Sequence, residues 1–370
     1  MARDREVAIL SQYLAPHLSP EKTPRLRALM VRGMSSEGTT FLNTLGDTLK
    51  GFASLTTLSL LCTCHRSMRD VQQLVCALPR LTHLYLDTVS WFSPAYDGCG
   101  DSSEGPAEGP ALKYLRVSAV YPACMLPFLA WLSRTPTARS LWSLEIPSEA
   151  RMGPEVLKHF GASVRHLYVP LRGLQPGSSL NEYTSLTSLT LYVGIDDLTW
   201  KYNELPELLE TLPAPSRASL SRLELHVPYQ VVSNGGAVLD VLARVDAVVF
   251  GGGSGVAERP SPKPEAECES GSEAETGTRT SASGSPNPSD AGPLLEVSSL
   301  STTRSKTNFP ALTEVAFIIL SPSTLSEQDR ADAEWSARLQ LGRADRLGRL
   351  DVRFGRHESL SARARWTCVR

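Results

Sequence analysis

The chain has no apolar run near the roughly 20 residues that a membrane-spanning helix needs, and its start, Met1-Ala-Arg-Asp-Arg-Glu, lacks the apolar core of a secretion signal. It has no excess of one charge either. Lys and Arg total 37 against 39 Asp and Glu, a formal net charge of −2, so neither a polyanion such as nucleic acid nor a membrane surface is expected as partner. Cysteines are few, odd in number and irregularly spaced, which argues against a disulfide framework. Cys62, Cys64 and Cys76 sit among apolar residues and are expected to act as small apolar fillers. An intracellular, soluble protein of the cytoplasm or nucleus is the expectation.

Motifs of catalysis and cofactor binding are also missing. "FGGGSGVAER" has Val256 where a dinucleotide loop needs its last glycine, and Pro-rich sequence follows instead of a helix. "CTCH", Cys62 to His65, has no second pair of ligands to complete a structural zinc site, so packing or loop thiols are expected there. "HESLS" from His357 lacks the second histidine of H-E-x-x-H, and no G-x-S-x-G elbow occurs. Nothing therefore recommends an enzyme, a cofactor or a metal site.

What is present is a repeat. L-x-x-L-x-L, with Val, Ile or Phe as substitutes, occurs at Leu26/Leu29/Val31, Leu55/Leu58/Leu60, Leu81/Leu84/Leu86, Leu112/Leu115/Val117 and Leu141/Leu144/Ile146. It continues at Val164/Leu167/Val169, Leu186/Leu189/Leu191, Leu220/Leu223/Leu225, Leu312/Val315/Phe317 and Leu347/Leu350/Val352. Outside one gap the starts are roughly 22 to 35 residues apart, around and above the leucine-rich period. A weaker copy is read in that gap, in "LARVDAVVF" ending at Phe250.

Helical segments lie between the copies. In "SMRDVQQLVCAL", Ser67 and Asp70 have capping-box spacing, Val71, Leu74, Val75 and Leu78 form an apolar stripe, and Pro79 follows. "TTFLNTLGDTL", "ACMLPFLAWLS", "PEVLKHF" and "LPELLETL" are similar. The N-terminus leads into a short amphipathic segment rather than the apolar core and cleavage site of a secretion signal. One strand and one helix per unit cannot bury their own apolar faces, so the units must stack. The fold expected is an α/β leucine-rich-repeat solenoid, with a curved parallel sheet on its concave side and short helices outside. A doubly wound sheet also alternates strand and helix, but its strands are continuous Val/Ile runs, unlike "LTTLSL", "LTHLYL" and "LTSLTL".

The copies are degenerate: the asparagine expected three residues after L-x-L is replaced by Met34, Thr63, Val89, Val120 and Gly194, which predicts a less regular coil. Residues 1–250 are assigned to the solenoid, 251–308 to a disordered Gly/Ser/Pro/Glu-rich insertion and 309–370 to its continuation. "SGSE" from Ser270 is a conceivable phosphosite within the insertion, and a smaller polar insert runs from Asp97 to Pro110.

Strand alternation turns the two residues before and after the middle leucine to the opposite face of the sheet. The first such row is Ala28, Thr57, His83, Tyr114, Ser143, His166, Ser188 and Arg222; the second is Met30, Ser59, Tyr85, Arg116, Glu145, Tyr168, Thr190 and Glu224. Both rows are expected to point outward. His83, Tyr85, Tyr114, Arg116, His166 and Tyr168 concentrate in the central copies, with Glu145 between them. Tyr and Arg are the residue types that anchor interfaces, so these seven are the candidate partner-binding residues.

"SLTTLSLLCTCHRSMRDVQQLVCALPRLTHLYLDTVSW" resembles the leucine-rich segments of basidiomycete fungal F-box-type proteins, in which a helix ending in "LPRL" is followed by a strand and "VSW". The likeness is specific over Leu55 to Trp91 and looser beyond. It implies a substrate-receptor role, in which an F-box recruits the Skp-type adaptor of a cullin ubiquitin ligase and the repeats hold the target. Only residues 1–25 precede the first copy, and they lack the Leu-Pro opening of an F-box, so adaptor binding is expected only if such a module lies upstream. The alternatives are a leucine-rich scaffold regulating a small GTPase, and an orphan solenoid without a ligase connection.

Overall fold

The computed structural model of the chain describes residues 7–10, 24–33, 49–93, 109–120, 122–146, 160–171, 179–192, 204–233, 236–251, 307–321 and 324–356. One compact unit comprises Met1–Gly251 together with Lys306–Arg370. The second, Gly252–Ser305, lies outside the described residues, as do the disorder and phosphosite expected there and the Asp97 insert up to 108. The helical segments read in "TTFLNTLGDTL" before Leu49 and in "PEVLKHF" before Phe160 also fall outside them.

The first unit is α/β. Its main sheet has 11 strands in the order β1-β2-β3-β5-β7-β8-β9-β10-β11-β12-β13, and every pairing is parallel. The strands are β1 (Val7–Leu10), β2 (Ala28–Arg32), β3 (Thr57–Leu61), β5 (His83–Asp87), β7 (Tyr114–Ser118), β8 (Ser143–Glu145), β9 (His166–Pro170), β10 (Ser188–Tyr192), β11 (Arg222–Pro228), β12 (Glu314–Ser321) and β13 (Leu350–Arg356). Two short strands, β4 (Cys64–Ser67) and β6 (Ser90–Ser93), form a separate parallel pair just beyond β3 and β5. No strand order is reversed, so each unit contacts the next in sequence.

The leucines of the pattern are the core. Leu29, Leu58, Leu84, Leu115, Leu144, Leu167, Leu189 and Leu223 are buried in one column and belong to a single apolar cluster with the helices. The described helices before β12 are α1 (Met68–Cys76), α2 (Pro122–Leu132), α3 (Thr137–Ser140), α4 (Glu204–Glu210), α5 (Ala214–Ser219), α6 (Tyr229–Ser233) and α7 (Gly236–Phe250), of which α3 and α5 place no side chain in that cluster. After β12 come α8 (Glu327–Gln340) and α9 (Gly342–Arg346). Helix α1 starts as its capping box predicts: the Ser67 N–H donates to Asp70 Oδ2 at 2.9 Å, and Val71, Leu74 and Val75 are buried. At the last copy the first leucine of the pattern, Leu347, is 52% exposed.

One expectation is corrected here, and one segment gains a strand. "LARVDAVVF" is not a strand but the end of α7: Leu242, Val245 and Val249 are buried at helical spacing, while Ala243 and Arg244 are exposed. The segment read as amphipathic near the N-terminus contains β1, paired with β2 from Val7↔Ala28 to Leu10↔Val31.

Where an asparagine was expected, Thr63, Val89 and Val120 are buried, the two valines by apolar packing and Thr63 with its hydroxyl against His65; Met34 and Gly194 lie outside the described residues. One residue earlier the backbone turns left-handed in successive copies, at Gly33 (φ 68), Cys62 (φ 49), Thr88 (φ 55) and Ala119 (φ 50). The Gly33, Cys62 and Thr88 N–H groups each donate to a carbonyl of the next strand, at 3.0, 2.8 and 2.9 Å. A regular hydrogen-bonded turn is thus kept although three of the four residues carry a Cβ that disfavours it.

The other end of the strands has a hydroxyl ladder. Thr56 Oγ1 donates to the Arg27 carbonyl (3.3 Å), Thr82 to Thr56 (3.2 Å), Thr187 to Arg165 (3.1 Å), Ser221 to Thr187 (3.0 Å) and Thr313 to Ser221 (3.0 Å). Each hydroxyl reaches a carbonyl of the preceding strand, the same carbonyl that accepts the backbone N–H there. This ladder links the entries of neighbouring strands much as a loop asparagine would link their exits.

Candidate functional site

Parallel register carries the two rows of alternate residues across the sheet without a slip. His83 pairs with Tyr114, Tyr114 with Ser143 and Ser143 with His166; Tyr85 pairs with Arg116, Arg116 with Glu145 and Glu145 with Tyr168. Residues far apart in sequence become lateral neighbours at the spacing of adjacent strands, about 4.8 Å. All seven candidate residues thus lie on β5, β7, β8 and β9, on the face opposite the leucine core.

Their side chains pack against one another. The His83 and Tyr114 rings stack at 5.9 Å between centroids, and Tyr85 and Tyr114 tilt together at 4.9 Å. Arg116 Nη1 donates to Glu145 Oε2 at 3.3 Å. The Tyr114 hydroxyl also bonds Glu145; burial first, then this carboxylate's charge and hydrogen bond, push its pKa far above the usual phenol value, so Tyr114 stays a neutral donor. His166 is held below the ordinary imidazole range by burial and by the Arg165 charge.

Outward display of both rows is therefore only partly realised. Arg116 is 7% exposed, and Ser59, Ser143 and Thr190 are also buried. His83, Tyr85, Tyr114, Glu145, His166 and Tyr168 are half-buried. The reason is lateral: large side chains on strands this close cover each other and the small residues between them. The face offers ring edges and a carboxylate, while the guanidinium lies beneath.

Two neighbours of the site escaped the alternation argument. Trp142, one residue ahead of the first row, is 42% exposed and meets His166 edge-on at 5.3 Å. His226 belongs to a third row, in register with Tyr192, and its ring meets Tyr168 edge-on at 5.8 Å. Carrying the alternation two residues past the second row would have included His226; Trp142 sits at a strand entry, where alternation gives no direction. His226 Nε2 lies 3.3 Å from Glu224 Oε2, and Thr190 Oγ1 donates to the same oxygen at 3.2 Å. The His226 hydrogen bond, helped by Arg222 and opposed by burial, lowers the Glu224 carboxyl to about 2. Arg222 pairs with Glu224 and Glu314, and Arg353 with Glu314 and Asp351.

The cysteine expectation is also corrected. Cys62 and Cys76 are exposed and Cys64 is half-buried, accepting from the Ser90 hydroxyl at 3.3 Å; among the described thiols Cys124 is the buried one. Cys62 occupies a left-handed turn position at a strand exit, where its side chain is turned off the core. His65 points inward instead: it is buried, and its Nε2 lies 3.0 Å from Thr63 Oγ1. No group of three His, Cys, Asp or Glu placed to hold a metal occurs among the described residues, and no helix among them is long and apolar enough to cross a membrane. No protein-family model matches the chain, and no curated protein matches it either.

Proposed function

We propose that the chain is a non-enzymatic protein-interaction module built as a leucine-rich-repeat solenoid, and that it holds a protein partner on the face formed by β5, β7, β8 and β9. The observation that carries this reading is the in-register cluster of His83, Tyr85, Tyr114, Arg116, Glu145, His166 and Tyr168 on four adjacent strands. In this reading that face is the concave side. Such a surface suits an interface, because half-buried rings held by their neighbours lose little conformational freedom when covered. The pair between buried Arg116 and half-buried Glu145 pre-organises the centre, and the rings around it supply the area to be desolvated.

The likeness of Leu55 to Trp91 to F-box-type proteins supports a substrate-receptor role for this face, with the Skp-type adaptor joined only through an F-box upstream of the repeats. The test is affinity capture with the chain and with a His83→Ala/Tyr85→Ala double variant, which trims two half-buried rings of this face and keeps the Arg116–Glu145 pair. A target held by the parent chain, together with adaptor and cullin subunits when the full gene product is used, is expected to be lost from the variant while its circular dichroism stays that of the folded chain. Equal capture by the variant would overturn the assignment of the face.

A further inference from the structure

Strands β11 and β12 are neighbours in the sheet although residues 229–313 separate them in the chain. They pair from Arg222↔Glu314 to Pro228↔Leu320. At the strand entry the Thr313 N–H and hydroxyl both donate to the Ser221 carbonyl, at 2.9 and 3.0 Å. The pairing is as long as any in the sheet, and it joins chain from before the 252–306 segment to chain from after it.

The helices repeat that relationship. Val241, Leu242, Val245, Val249 and Phe250 of α7 are buried in the same cluster as Phe309, Leu312, Ala337, Leu341 and Ala344. Asn308 Nδ2 donates to the Val248 carbonyl at 2.7 Å, so the chain re-enters beside the turn of α7 from which it left. Asp246 of α7 is buried, and its two carboxylate oxygens accept the first N–H groups of α9: Oδ2 from Arg343 at 3.1 Å and Oδ1 from Ala344 at 3.0 Å. The residue at the local cap position, Leu341, has no side-chain acceptor to offer. One part of the chain therefore caps a helix of the other.

We propose that the part ending at Gly251 and the part beginning at Thr307 hold each other without the covalent link between them, and that this link is dispensable once the chain has folded. Cutting or modifying the segment then acts on the protein without dismantling the sheet or the face on β5–β9.

The test uses the full chain with residues 272–278 replaced by the recognition sequence of a site-specific protease, cut after folding. Two bands are expected on a denaturing gel, with a single native species at the uncut mass and unchanged circular dichroism. Separation into two species at micromolar concentration would overturn the proposal. In the cut protein, Asp246→Ala is expected to raise the dissociation constant of the two parts at least about tenfold, since two charge-assisted hydrogen bonds are lost. Association that ignores this substitution would overturn the assigned interface.

Discussion

Arg116 and Glu145 lie opposite each other on adjacent parallel strands, in register, with Nη1 3.3 Å from Oε2. The arginine is almost wholly buried while the carboxylate is half-exposed, so the pair belongs as much to the fold as to any partner surface. Removing Arg116 takes a charged hydrogen-bond donor away from the Glu145 carboxylate and opens a space in the packed face. Arg116→Ala is expected to destabilise the chain by about 1–3 kcal/mol in urea unfolding, and Arg116→Met by less, since its side chain refills the space. Equal stability of parent and Arg116→Ala would show that the pair is solvated.

The first leucine of the pattern supplies a matched contrast. Leu81 is 1% exposed and Leu347 is 52% exposed, although both hold the same place in their copies. Leu81→Ala should cost about 2–5 kcal/mol through lost burial and a residual cavity. Leu347→Ala should change stability by about 0.5 kcal/mol or less. Chemical denaturation of the two variants checks this, and a large effect at Leu347 would mean that the end of the column is covered in solution.

The recurring left-handed turn predicts a gain. Ala119 is exposed at φ 50, where its Cβ is crowded and a glycine, as at Gly33, is not. Ala119→Gly should stabilise by about 0.5–1 kcal/mol, the relief of backbone crowding exceeding the extra freedom of the unfolded chain. A lower melting temperature would contradict the turn geometry.

His65 ties stability to pH. Its imidazole is buried, Nδ1 has no hydrogen-bond partner among the described residues, and burial lowers its pKa from 6.5 to about 4, with Asp70 opposing. Between those values the unfolded chain binds the proton and the folded chain does not. The contribution is therefore fully present above pH 6.5 and is lost as the pH falls to 4, about 3 kcal/mol in all. His65→Gln should flatten the urea midpoint across that range, and an unchanged slope would place the acid sensitivity elsewhere.

Much of this architecture was legible in the sequence, and the exceptions have physical causes. The α1 capping box and apolar stripe are local, so Ser67 to Leu78 could be read directly. "LARVDAVVF" matched a strand template because a short apolar run fits either period; only its packing against later helices selects the α7 helix. The four residues of β1 show no leucine repeat, and their strand is defined by pairing with β2.

At the candidate site the division is the same. Alternation along each strand determined, from the sequence alone, which residues share a face: His83 with Tyr85, Tyr114 with Arg116, His166 with Tyr168. Tertiary structure decided which of them meet solvent, how Tyr114, Arg116 and Glu145 join, and that Asp246 caps a helix beyond a long interruption of the repeats. The physical reason is range: a strand's own geometry sets the direction of a side chain, whereas its burial and charge state depend on neighbours brought alongside from distant parts of the chain.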